Sequence, residues 1–103
     1  MEINFEISPQ IKRAIDDMGF EHLTEIQQKT IPLILEGKDV IGKSQTGSGK
    51  TMAFGVPAVS VIDKELNKKF TQVLVLVPTR ELAVQACSEI RKLMKYTHDI
   101  KTV

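Results

Sequence analysis

The residues best suited to chemistry form one short run, Ser44-Gln45-Thr46-Gly47-Ser48-Gly49-Lys50-Thr51. Its small residues let backbone N–H groups turn inward around phosphate oxygens, and a helix beginning at its end adds partial positive charge. In such a loop Lys50 reaches the β- and γ-phosphates of a nucleotide, and the Thr51 hydroxyl ligates the accompanying Mg2+. The general phosphate-loop pattern has Gly five residues before Gly49; Ser44 stands there instead. A small residue still fits the tight entry. The competing reading is a Gly/Ser-rich turn that ends in Lys-Thr by chance, and the elements on either side speak against it.

Those elements can be read from periodicity. Val40-Ile41 is a brief apolar pair entering the loop, and residues 50–61 read as a helix despite Pro57. The unit is strand, loop, helix, the setting a phosphate loop requires. Upstream, Ser8-Pro9 reads as an N-cap followed by Pro at the first helical position. Ile11, Ile15 and Met18 then recur at helical spacing until Gly19. A second helix starts at Thr24, with Pro32 expected to divide it into two pieces and Gly37-Lys38-Asp39 to end it.

Downstream, residues 73–77 alternate Val and Leu with no polar position, as in a parallel strand buried on both faces. From Arg80 to Lys95, Leu82, Ala83, Ala86, Cys87, Ile90, Leu93 and Met94 share one stripe of an amphipathic helix. Thr79 can cap that helix and leave free N–H groups for an anion. A third strand can begin at residues 100–103. The order β, α, β, α, β predicts an α/β fold, a doubly wound parallel sheet.

Composition narrows the classes. At 103 residues the chain is at most one domain, and its 42% hydrophobic and 26% charged content is that of a soluble globular protein. A net charge of +1 provides no general footprint for nucleic acid, so any such contact must be local. The single cysteine, Cys87, excludes an intrachain disulfide and is expected as a buried apolar group on the helix stripe. His22 and His98 are isolated, without metal-ligand spacing. The first residues lack a secretion signal, and no apolar run approaches the roughly 20 residues of a membrane span. A cytoplasmic chain without membrane contact is the expectation.

Two further stretches narrow the class. Gly19-Phe20-Glu21-His22-Leu23-Thr24-Glu25-Ile26-Gln27 resembles the Q motif of DEAD-box RNA helicases, with Phe5 about where that family places a separate aromatic. Pro78-Thr79-Arg80-Glu81-Leu82-Ala83 is similar to their motif Ia, and residues 44–51 to their motif I, all in the family's order. The resemblance implies the N-terminal part of a first RecA-like, P-loop domain: residues 1–36 as a Q-motif helical region and 37–103 as the front of the ATP-binding domain. It further implies that ATP is bound with Mg2+, that Phe20 stacks on adenine, and that the Gln27 amide meets the adenine edge. Pro78, Thr79 and Arg80 then touch an RNA backbone.

Gln27 has a second reading independent of family. Thr24-x-x-Gln27 is a capping box, in which the Gln side chain returns to the N-cap backbone. Phe20 could equally pack the helix entry, and Glu81 could orient Arg80 or cap its helix. Leu23 stands where the family usually has Pro, and Ser44 where it usually has Ala or Gly.

The sequence contains no Asp-Glu-Ala-Asp and no Ser-Ala-Thr. The resemblance therefore implies a chain ending before the catalytic acids, unable to turn over alone. It also implies a second RecA-like domain elsewhere in a longer parent, and unpaired strand edges through which this chain could self-associate. Two other readings remain: a non-helicase P-loop ATPase, kinase or GTPase, and a non-catalytic module that binds nucleotide, RNA or a partner.

Overall fold

Backbone groups at a helix end need partners, and side-chain caps explain where three of the described helices begin. The computed structural model describes residues 5–19, 22–43, 49–63 and 70–97. Among these are helices α1 (Pro9–Asp17), α2 (Glu25–Leu35), α3 (Lys50–Ser60) and α4 (Arg80–Leu93). The Ser8 hydroxyl accepts from the Ile11 N–H at 3.2 Å, and Pro9 needs no partner at its position. Thr24 opens α2 with a complete capping box, and Thr79 opens α4 by accepting from the Leu82 N–H at 3.2 Å.

Contrary to expectation, Pro32 does not divide α2. The proline removes one N–H, but the hydrogen bonds beyond it survive. Glu36 N–H donates to Pro32 O at 3.1 Å, and Gly37 and Lys38 donate back to Ile34 O and Leu33 O. With Gly37 at φ 87, this is a Schellman closure. Ile31, beside the proline, is fully buried in the core against which α2 packs. Pro57 likewise lies within α3, as expected, and is fully buried.

One core joins the four helices. Ile11 and Ile15 of α1, Ile31 of α2, Met52, Val56 and Val59 of α3, and Leu93 with Met94 at the end of α4 form a single buried cluster. Phe5 packs against it from the partly buried margin. Fully burying each such side chain contributes roughly 1.5–3 kcal/mol, which makes this cluster the main apolar source of cohesion. No described helix is long and apolar enough to cross a membrane.

The expected strands at residues 40–41 and 73–77 do not form a β-ladder among the described residues. A strand exists only through a neighbour that takes its N–H and C=O groups. Val73 and Val75 are half-buried whereas Leu74 is 77% and Leu76 85% exposed, so one face is covered rather than two. This two-residue alternation is that of extended chain against a single layer. The expected strand start at residues 100–103 lies outside the described residues.

The α4 stripe is likewise covered only in part. Ala86, Leu93 and Met94 are buried, but Leu82 and Ala83 are exposed and Cys87 is half-buried rather than buried. An amphipathic helix buries its whole stripe only where another layer lies against its whole length, and here the core meets the C-terminal half.

The far ends of α1 and α4 are joined by polar contacts. The Tyr96 hydroxyl donates to the Asp17 carboxylate, Lys95 Nζ lies 3.3 Å from it, and the Arg13 guanidinium sits 4.2 Å from the Tyr96 ring centroid. The Tyr96 hydrogen bond holds Asp17 below the ordinary carboxylate range, helped by Lys95 and Arg13 and opposed by slight desolvation. Because the folded-state value is depressed, this stabilisation is present above the unfolded value and is lost as pH falls through the folded one. Thermal melts at neutral pH and near pH 3 should show a loss of stability that is smaller in Asp17→Asn; an identical pH dependence in that variant would exclude the contact.

Candidate nucleotide and nucleic-acid site

Helix α3 begins without a side-chain cap. Its N-cap is Gly49, at φ 89, and the first turn carries Lys50, exposed, and Thr51, half-buried. Uncapped N–H groups at a helix start, with a cation beside them, fit an anion. Of the predicted phosphate loop, Ser44, Gln45, Thr46, Gly47 and Ser48 lie outside the described residues. So does Phe20.

Two constraints require glycine at position 49. The left-handed backbone penalises any Cβ, and the space is already filled. A Cβ there would come within 2.9 Å of Thr24 Oγ1 and 3.2 Å of Gln27 Nε2. The start of α2 therefore lies directly against the start of α3. Two stretches more than twenty residues apart in sequence meet at one backbone position.

Gln27 makes that junction polar as well as steric. It is 1% exposed, and both ends of its amide are engaged. Oε1 accepts from the Thr24 N–H at 2.9 Å, completing the capping box, while Nε2 donates to Gly49 O at 3.2 Å. The capping reading of Gln27 is thus correct. The bond to Gly49 was not anticipated, because nothing in local spacing signals a partner 22 residues away. Leu23, in place of the family's usual Pro, is buried, and its carbonyl accepts from Gln28 Nε2 at 3.1 Å.

The second predicted site is at the start of α4. Pro78, Thr79 and Arg80 are all exposed. The cap is supplied by Thr79 rather than Glu81. The helix start thus presents a cation and backbone N–H groups to solvent, a geometry compatible with a phosphodiester. Helices α2 and α3 pack together, as do α3 and α4, so α3 lies between the elements that carry the two predicted sites.

The family described as DEAD/DEAH box helicase matches residues 24–103. The ATP-dependent RNA helicase CshA of Listeria monocytogenes is 50% identical over 94 residues, covering 91% of this chain and 18% of that protein. The DEAD-box ATP-dependent RNA helicase CshA of Geobacillus kaustophilus is 51% identical over 87 residues, covering 84% and 18%. Among solved structures, a DEAD box protein from the hyperthermophile Methanococcus jannaschii superposes with a TM-score of 0.79 at 37% identity, over 87% of this chain and 24% of that one. A hypothetical ATP-dependent RNA helicase from Sulfolobus tokodaii gives 0.74 at 43%, over 89% and 25%. The chain spans about a fifth of the length of the curated relatives it matches.

Substituting Gly49→Ala should cost about 1–2 kcal/mol from the left-handed backbone alone, before any displacement of Thr24. Urea unfolding measures this directly. An unchanged midpoint would mean that Gly49 is not held against α2.

Proposed function

This chain belongs to the DEAD/DEAH box helicase family, and on that footing we propose that it forms the front part of the first RecA-like domain of an ATP-dependent RNA helicase. The observation that carries the reading is the Gln27 Nε2 to Gly49 O bond, which joins the predicted adenine-contacting element to the end of the predicted phosphate loop. Residues 1–36 serve as the Q-motif helical region, and 37–103 as the front of the ATP-binding domain.

In this reading backbone N–H groups of Ser44, Gln45, Thr46, Gly47, Ser48 and Gly49 surround the phosphates, with the uncapped start of α3 behind them. Lys50 holds the β- and γ-phosphates, and the Thr51 hydroxyl ligates Mg2+. Phe20 stacks on adenine. The Gln27 amide offers an acceptor and a donor, the pair that adenine's amino group and ring nitrogen require. Those same atoms hold Thr24 N–H and Gly49 O in the free chain. Base binding therefore exchanges Gln27's partners and frees the Gly49 carbonyl, so that occupancy of the base site is felt at the phosphate loop.

The bound nucleotide supplies the phosphoanhydride whose cleavage drives the parent's cycle. This chain's residues bind and orient it, with Pro78, Thr79 and Arg80 holding an RNA backbone. The rest of the first domain supplies the catalytic acids, and a second RecA-like domain of the parent supplies the arginine fingers. The exposed Ile41, Leu74 and Leu76 support a further proposal. Residues 40–41 and 73–77 are strands of the parent's parallel sheet, and in the isolated chain their open edges favour self-association.

Titration with a fluorescent ATP analogue should show Mg2+-dependent binding, weakened at least tenfold by Lys50→Ala, which is about 1.4 kcal/mol. Gln27→Ala should narrow the preference for ATP over GTP. Preference for GTP in the unsubstituted chain would favour another class of P-loop protein, and melting indifferent to Mg-ATP a non-catalytic module. Lacking the acids, the chain should not hydrolyse ATP at a helicase's rate, and its sedimentation coefficient should rise with concentration. Turnover abolished by Lys50→Ala, or a monomer at all concentrations, would contradict these two expectations respectively.

A further inference from the structure

The side of α4 turned away from Ala86 and Leu93 carries a shallow hollow that borders the helix's apolar stripe at Ala83 and Cys87. Its floor is aliphatic: Ala83, Val84 and Cys87, with Val84 64% exposed. Its rim is cationic: Arg80, Arg91, Lys92 and Lys95, with Ser88 as the remaining lining residue and no carboxylate among them. Positions 80, 84, 87 and 91 recur every three to four residues, so they form a continuous stripe along one side of α4, and Lys95 follows in the turn beyond its end.

We propose that this stripe is a docking face for an acidic, aliphatic peptide segment of a partner protein. Charge chooses between covering layers. A face destined for burial inside the same domain would not be ringed by four cations, because lysine and arginine are almost never fully buried without a partner. Among these cations, Lys92 pairs with Glu89 at 3.6 Å and Lys95 with Asp17 at 3.3 Å. Both pairs are solvent-exposed, and such pairs hold little energy, so their exchange for a partner's carboxylates is inexpensive.

The floor chooses between classes of anionic partner. Single-stranded nucleic acid is held by aromatic platforms as well as cations, and no aromatic residue lines the hollow. Aliphatic side chains at helical spacing fill an aliphatic floor, while flanking Asp or Glu side chains meet the rim, as when an amphipathic segment enters a groove. The apolar contacts fix its register, and the cations steer its approach. Arg80 belongs both to this rim and to the predicted RNA contact. On that reading of Arg80, a docked peptide competes with RNA for it.

The test uses the 103-residue chain and a fluorescein-labelled amphipathic peptide with Leu at helical spacing and Glu between. Controls are the same peptide with Lys replacing Glu, and a ten-residue oligouridylate. The acidic peptide should bind at least tenfold more tightly than the basic one and weaken with added salt. Val84→Asn should reduce its binding at least tenfold while leaving oligouridylate binding unchanged. If Val84→Asn lowers the melting temperature, Ser88→Glu on the same exposed stripe provides the same readout. Equal binding of the two peptides, peptide binding indifferent to the folded substitution, or loss of oligouridylate binding in its place would overturn the proposal. Failure of oligouridylate to bind at all, with peptide binding intact, would count against the RNA reading alone.

Discussion

A buried primary amide must satisfy a donor and an acceptor together, and Gln27 does so by joining two parts of the chain that have no local reason to meet. Its oxygen is spent on the Thr24 N–H, which closes the first turn of α2. Its nitrogen is left with donors to place, and burial at 1% exposure makes an unmade bond costly. Gly49 O accepts it while also accepting the Ala53 N–H at 3.0 Å, the first hydrogen bond of α3. A carbonyl with two lone pairs can serve both. Where α3 starts, where Lys50 and Thr51 project, and how α2 lies against α3 all follow from this contact.

The same junction explains why glycine is required where the phosphate loop meets its helix. Flexibility is one reason, since φ 89 is open to few other residues. Crowding is the second, because the capping threonine and glutamine of α2 occupy the volume a side chain would take. On the proposed reading, base recognition and phosphate recognition share atoms: the residue proposed to bind adenine is, in the free chain, the one hydrogen-bonded to Gly49 O.

Away from that junction, the structure is a helical layer with one open side. The core cluster holds α1, α2, α3 and the end of α4, while Leu74, Leu76 and Leu82 remain exposed. On the proposed reading, the parent's parallel sheet takes up Leu74 and Leu76 and covers Leu82. The Val84 face differs in kind. Its ring of cations marks it as a surface for contact with water or a charged partner rather than for internal burial.

What the sequence determined by itself was local or one-dimensional. The caps at Ser8, Thr24 and Thr79 and the stop at Gly37 were legible because each needs only neighbours within about one helical turn. The order of the three motifs was legible because it is a property of the string, and it carried the family. Pro32 was misread because propensity counts the lost N–H but not the hydrogen bonds that continue on either side of it and carry α2 to Leu35. Residues 73–77 were legible as extended apolar chain but not as a ladder, since a strand's hydrogen bonds belong to its neighbours. Only tertiary structure could place Gln27 beside Gly49, give Cys87 its half-exposed position, and set Lys95 against Asp17. Each of these depends on which segments approach through space, and approach is decided by what the whole core can bury together.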